Sequence, residues 1–233
     1  MGRFSQRSYE KELMDDLESS GDVLNETLRE LKTVNQWLGG NYVTTSGLAK
    51  FLKLRPQTEY LIADIGCGGG DMIQVMNSWA ESQSPKFNFL GIDANPNIVD
   101  FANERNPGEN IKYQTQNVFD KEFASQRVDI TTCTLFTHHF TDDELIELFS
   151  SLKEKSKLGF LINDLHRHPF AYHSIKTIVN LFSKSPMVKN DAPLSVLRSF
   201  RTGDWERIFK KAGISEYEIS WHWAFRWRVF VLF

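Results

Sequence analysis

Apolar residues Leu24, Leu28, Leu31, Val34 and Leu38 recur at three- and four-residue steps, the spacing that lines one face of an α-helix. Gly39-Gly40 follows where a glycine ends such a helix. TSGLAKFLKL (45–54) predicts a second, short helix before Pro56. From Glu59 the rhythm changes to short apolar runs: YLIADI, FNFLGID, IKYQTQNV, VDITTCTLF and LGFLIND. Stretches long enough for helices, such as ELIELFSSLKEKSK, lie between them. That alternation predicts a mostly parallel sheet covered by helices on both faces. YEISWHW and RWRVFVLF are instead separated by Ala224-Phe225 alone, and so short a link permits only an antiparallel pair. The expected architecture is α/β and Rossmann-like. An N-terminal helical cap is expected over residues 1–50 and a domain with a C-terminal antiparallel hairpin over 51–233. SKSPMVKNDAPLS (183–195) reads as a long functional loop.

Composition narrows the function. A chain of 233 residues suits one well-cored domain. A net charge of -3 gives no broad basic field for nucleic acid. Two cysteines, Cys67 and Cys133, without a CxxC pair, argue against a disulfide framework or structural zinc and suit a reducing, cytoplasmic setting. No run is long and apolar enough to span a membrane. The 18 phenylalanines exceed what such a core requires, so some are free to line an apolar ligand site.

Candidate chemistry begins where LIADI runs into Gly66-Cys67-Gly68-Gly69-Gly70. Glycines at a strand-to-helix turn let the backbone pass close to a ligand at the carboxyl edge of a sheet. The spacing is GxGxG, with Asp64 two residues upstream and Asp71 where the dinucleotide fingerprint wants its third glycine. An acid at that helix head repels a pyrophosphate, so NAD and FAD are the poorer reading. The next strand ends in Asp93, placed as an acid that takes ribose hydroxyls. After the third strand, Asn117 offers an amide to a nucleobase edge and Val118 an apolar face.

Asp64-Ile-Gly66-Cys67-Gly68-Gly-Gly70 resembles motif I of class I S-adenosylmethionine-dependent methyltransferases, and the order of elements is similar from about residue 59 onward. That resemblance implies S-adenosyl-L-methionine as cofactor, S-adenosyl-L-homocysteine as product and a seven-stranded sheet whose last strand is antiparallel. It also implies a cofactor shell of Asp64, Gly66, Cys67, Gly68, Asp93, Ala94, Asn117, Val118 and Thr134.

FTHHFTDDE (136–144) closes the fourth strand, and Thr141 with Glu144 forms a capping box for the helix that follows. His138 and His139 therefore stand at a strand end that, in this fold, faces the methyl group. The segment is similar to the His-Asp-Trp-Ser-Asp segment of plant-type phenolic O-methyltransferases, by which His138 is the general base. His139 as base, or purely structural roles for both, remain alternatives. A required metal is not expected. Adjacent side chains diverge at a strand end, and Asn163-Asp164 supplies only an inverted part of the magnesium site of catechol-type enzymes.

DLHRHPFAYHSIKTIVNLF (164–182) is aromatic-rich. His166, Tyr172 and His173 are its candidate acceptor-binding groups, and Phe170, Tyr172, Ile175 and Ile178 are expected on a helix's core face. This segment, with RSFRTGDWERIFKKAGI, resembles bacterial methyltransferases of the quinol and aromatic-polyketide type. The resemblance implies O-methylation of a phenolic or quinol-like acceptor by a monomer or homodimer. N- or C-methylation of another small molecule, and non-catalytic binding of the cofactor, are the competing readings.

Overall fold

The computed structural model describes residues 2–233. Parallel strands β1 (Glu59–Ile65), β2 (Lys86–Asp93), β3 (Ile111–Thr115), β4 (Val128–Thr134) and β5 (Ser156–Leu165) are followed by β6 (Tyr217–His222) and β7 (Arg226–Leu232). The sheet order is β3-β2-β1-β4-β5-β7-β6, with β7 antiparallel to both β5 and β6. All seven expected strands are present, and the seven-stranded Rossmann-like fold with its closing hairpin is as anticipated. Strand order reverses between β1 and β4, the point at which open α/β sheets leave a crevice for ligand beyond their carboxyl ends.

Alternation along β1 explains the layers. Tyr60 and Ile62 face a core made with α2 (Gly40–Leu54) and α3 (Asp71–Ala80). Ala63 and Ile65 face the opposite core, filled from α5 (Asp142–Lys155) and α8 (Thr202–Lys211) by Leu145, Leu148, Phe149, Trp205 and Phe209. A Cβ on Gly47 would lie 2.5 Å from Leu161, so glycine there lets α2 sit close on β5. The expected boundary at residue 50 thus falls inside α2, a helix of the sheet's own covering layer.

Above the carboxyl edge, α1 (Gly21–Trp37), α6 (Pro169–Phe182) and α7 (Pro186–Arg198) form a further apolar cluster through Leu31, Val34, Ile175, Val179, Val188 and Val196. α4 (Pro96–Arg105) covers β2 and β3. The segment before α1 contains a one-turn 3-10 helix, Leu13–Asp15, and is held chiefly by polar ties. Asp191 accepts hydrogen bonds from Leu13 N and Met14 N at 2.9 and 3.0 Å. Arg7 and Arg198 bond across it to α7 and to the segment after β4.

One expectation is corrected here. Residues 183–195 are a short connection followed by most of α7. Ser185 caps the helix through Val188 N and Pro186 occupies its first turn, where a missing N–H costs nothing. Pro193 lies inside the helix and disguised this start.

Candidate active site

The glycine turn needs its glycines. Gly66, Gly68 and Gly70 have φ of 67°, 53° and 78°, a region that side chains with a Cβ rarely adopt. At Gly66 a Cβ would also fall 2.0 Å from the Phe136 ring. The turn opens onto a cavity of about 440 Å³. Asp64, Gly66, Cys67, Gly68, Asp93, Ala94, Asn117, Val118 and Thr134 all line it, so every residue of the expected cofactor shell comes together at one place.

Its polar end is acidic. Asp64 is buried, accepts from Thr132 Oγ1 at 2.7 Å, and is pushed up to about 7 by burial and by the nearby charges of Asp71 and Asp93. Burial likewise raises Asp71 and Asp93. Asp93 accepts from Gly68 N and Asn95 N, both at 3.1 Å, tying the glycine turn to the end of β2. Asn117 is exposed, and its Oδ1 accepts from Phe119 N in a local turn. Burial pushes the Cys67 thiol well up, which leaves it a packing group.

A second, largely apolar cavity of about 310 Å³ adjoins the first. Met14, Leu31, Leu135 and His139 line both. His138 lines only the apolar cavity. Leu135 has φ 53°, strain of the kind that collects at functional sites.

The paired histidines separate by partner. His138 is 3 % exposed, and its Nδ1 lies 2.7 Å from Asp164 Oδ1. Burial alone would raise the Asp164 carboxyl. The His138 charge and hydrogen bonds from His138, Thr137 and Leu165 N instead hold it down at about 2. With Asp164 ionised, Nδ1 is the donor of that contact, and Nε2 is the ring nitrogen left for another partner. His139 makes the corresponding contact with Asp15 through Nδ1. Burial would raise Asp15, but His139 and Arg198 hold it low.

Three participants gave no usable signal in the sequence: Glu12, Asp15 and Arg198, which reach the site from outside the strand ends. Glu12 Oε1 is buried without a hydrogen-bond partner, 3.7 Å from His138 Nε2, while Oε2 accepts from Ser195 at 2.9 Å. Burial pushes Glu12 up to about 7 against the charges of His139 and Arg198. Glu12, His138 and His139 each place a potential metal-ligand atom within 4.8 Å of the others. The Arg198 guanidinium lies 3.6 Å from that same Glu12 oxygen. That guanidinium already places a positive charge beside the cluster, which disfavours a second cation there.

Of the acceptor candidates, His166 lines the apolar cavity. Tyr172 is buried but packs on Phe4 at 5.6 Å beneath the Arg3 guanidinium, and lines neither cavity. His173 is exposed and lines neither. Both point to the side of α6 that carries the N-terminal segment. The expected core face is also divided: Ile175 and Ile178 line the cavity, and Phe170 lines it while 63 % exposed.

Fold and cavities define a class. Residues 62–159 match a family model described as a methyltransferase domain. Among particular proteins, a demethylmenaquinone methyltransferase of Lactobacillus johnsonii is 24 % identical over 138 residues, 57 % of this chain. The match spans 55 % of that protein's length. Human N-acetylserotonin methyltransferase in complex with SAM superposes with a TM-score of 0.65 at 16 % identity, covering 95 % of this chain and 59 % of that one. The plantazolicin methyltransferase BpumL, in complex with a triazolic desmethylPZN analog and SAH, gives 0.63 at 17 % identity, covering 84 % and 73 %. Residues 62–159 are therefore similar to a methyltransferase domain, and the chain has the Rossmann-like fold of these structures. Among the described residues, no helix is long and apolar enough to cross a membrane.

Proposed function

We propose that the chain transfers a methyl group from S-adenosylmethionine to a hydroxyl of a phenolic or quinol-like small molecule, with His138 as general base. The observation that carries this reading is His138 itself. It is buried, backed by Asp164, and turned into an apolar cavity whose wall is shared with the acidic one.

The acidic cavity suits the cofactor. Asp64, Asp71, Asp93, Asn117 and Val118 all line it, and in this reading the first two meet a cationic amino-acid moiety, Asp93 the ribose hydroxyls, and Asn117 with Val118 the nucleobase. When bound, the cofactor supplies a methyl on a sulfonium, an already activated leaving group. The protein's share is then alignment and removal of one proton. His138 Nε2 takes the proton from the acceptor hydroxyl, and Asp164 stabilises the imidazolium that results. His139, between the cavities and tied to Asp15, orients the wall that keeps acceptor and methyl in line. Leu31, Met14 and Leu135 exclude water from that line.

The test is turnover of a panel of phenols and quinols, followed by formation of S-adenosylhomocysteine. His138→Ala is expected to lower kcat by on the order of 10²–10⁴ and to remove the acidic limb of the pH–rate profile. A variant that keeps the wild-type rate and profile would sink the base assignment, and it is the result that an amine acceptor would give.

A further inference from the structure

Four arginines are buried: Arg7, Arg167, Arg198 and Arg226. Three are saturated. Arg7 pairs with Asp142 and donates to the carbonyls of His138, Phe140 and Arg198. Arg167 pairs with Asp204 and donates to Phe4 O and Ser199 O. Arg198 pairs with Asp15 and donates to Glu10 O, His138 O and His139 O.

Arg226 is different. It is 1 % exposed, forms no ion pair among the described residues, and leaves Nε without a partner. Its one side-chain hydrogen bond, Nη1 to Asn163 Oδ1, is long at 3.4 Å. Burial pulls it down to about 10, opposed only by the more distant charge of Asp164. A buried guanidinium without an anion is costly unless something else supplies one. Arg226 lines the apolar cavity, and so does His166, whose Nδ1 is likewise buried without a partner. Burial, His168, Arg201 and Arg167 pull His166 down to about 4, so its ring is neutral and free to donate one N–H to an anion.

We propose that Arg226 anchors an oxyanion on the acceptor, which makes the acceptor a hydroxyaryl carboxylate: carboxylate on Arg226 and His166, ring on the apolar wall, hydroxyl toward His138. This deepens the reading of that cavity as the acceptor site and rests on it. The planar fork of a guanidinium matches a carboxylate with two parallel hydrogen bonds, and largely apolar surroundings strengthen them. The same apolar surroundings penalise a neutral ester, which leaves the cation unpaired.

The test is calorimetry on the full chain saturated with S-adenosylhomocysteine, using benzoate, the three monohydroxybenzoates and their methyl esters. At least one hydroxybenzoate is expected to bind more tightly than its ester by roughly 30-fold or more. Arg226→Met should erase that difference and Arg226→Lys should keep part of it, with affinity for S-adenosylhomocysteine unchanged in both. Thermal unfolding supplies a second readout. Arg226→Met should melt no lower than wild type, because an uncompensated buried charge has been removed.

Equal binding of acid and ester by wild type, binding of no acid at all, or an acid preference that survives in both variants overturns the proposal. The two readings fail separately. Methylation of neutral phenols with no acid preference overturns the anchor and leaves hydroxyl methylation standing. Acid binding that depends on Arg226 without any S-adenosylhomocysteine formed from bound acids overturns the activity and leaves the anchor.

Discussion

His138 Nδ1 and Asp164 Oδ1 are 2.7 Å apart and both residues are buried, His138 following β4 and Asp164 lying near the end of β5. The pair fixes the tautomer of the imidazole and so decides which nitrogen faces the apolar cavity. Asp164→Asn is expected to lower kcat by about 10²-fold or more while leaving cofactor affinity intact. Asp164→Ala leaves the partner uncompensated and should cost about 3–5 kcal/mol of stability. Denaturant melts and single-turnover rates separate the two effects.

The same carboxylate carries an acid sensitivity of known sign. Its folded value of about 2 lies below the ordinary 3.8, so its contribution is present above about pH 4 and is lost as pH falls toward 2. Unfolding curves of wild type and Asp164→Asn should converge across that window. Curves that stay parallel would show that Asp164 is not held low.

Asp64 has the opposite sign. Its folded value of about 7 lies above 3.8, so its contribution to stability is complete at low pH and is lost as pH rises from about 4 through 7. Binding of a cationic moiety wants the ionised form, so affinity for S-adenosylmethionine should rise with pH through about 7. Asp64→Asn should flatten that rise, weakening affinity more at pH 8 than at pH 6, as read by calorimetry across the range.

Gly66→Ala tests the turn on two counts, a φ of 67° and a Cβ placed 2.0 Å from the Phe136 ring. A loss of roughly 2–4 kcal/mol is expected, with cofactor binding lost in whatever remains folded. Gly203→Ala, where a Cβ meets nothing within 4 Å, is the control that should be silent.

Asp191→Ala frees the N–H groups of Leu13 and Met14. Loss of these two half-buried hydrogen bonds should cost about 1–3 kcal/mol, felt locally. Hydrogen exchange is expected to accelerate at residues 10–16 with little change in the sheet, and KM for both substrates should rise because Met14 lines both cavities.

Much of this molecule was legible in one dimension, and for one reason. Strands and helices announce themselves by period, and the strand ends of a parallel sheet lie side by side, so Asp64, Asp93, Asn117 and His138 could be placed without coordinates. Contacts made across long sequence separations have no such signature. Glu12 and Arg226 lie outside the parallel strand ends, and only the tertiary fold brings each to the apolar cavity. Tyr172 and His173 fall outside both cavities, because the 3.6-residue period gives a helix's faces but not which neighbour each face meets. Residues 183–195 read as a loop because Pro193 hides a helix whose Ser185-Pro186 start is a regular capping signal.

Four residues, Met14, Leu31, Leu135 and His139, serve two cavities at once. A single wall with two faces cannot adjust to one guest without altering the berth of the other. Whatever factor by which the first guest changes affinity for the second, the second must return to the first. On the proposed reading the partition is a thermodynamic coupler, through which occupancy on one side bears on affinity at the other.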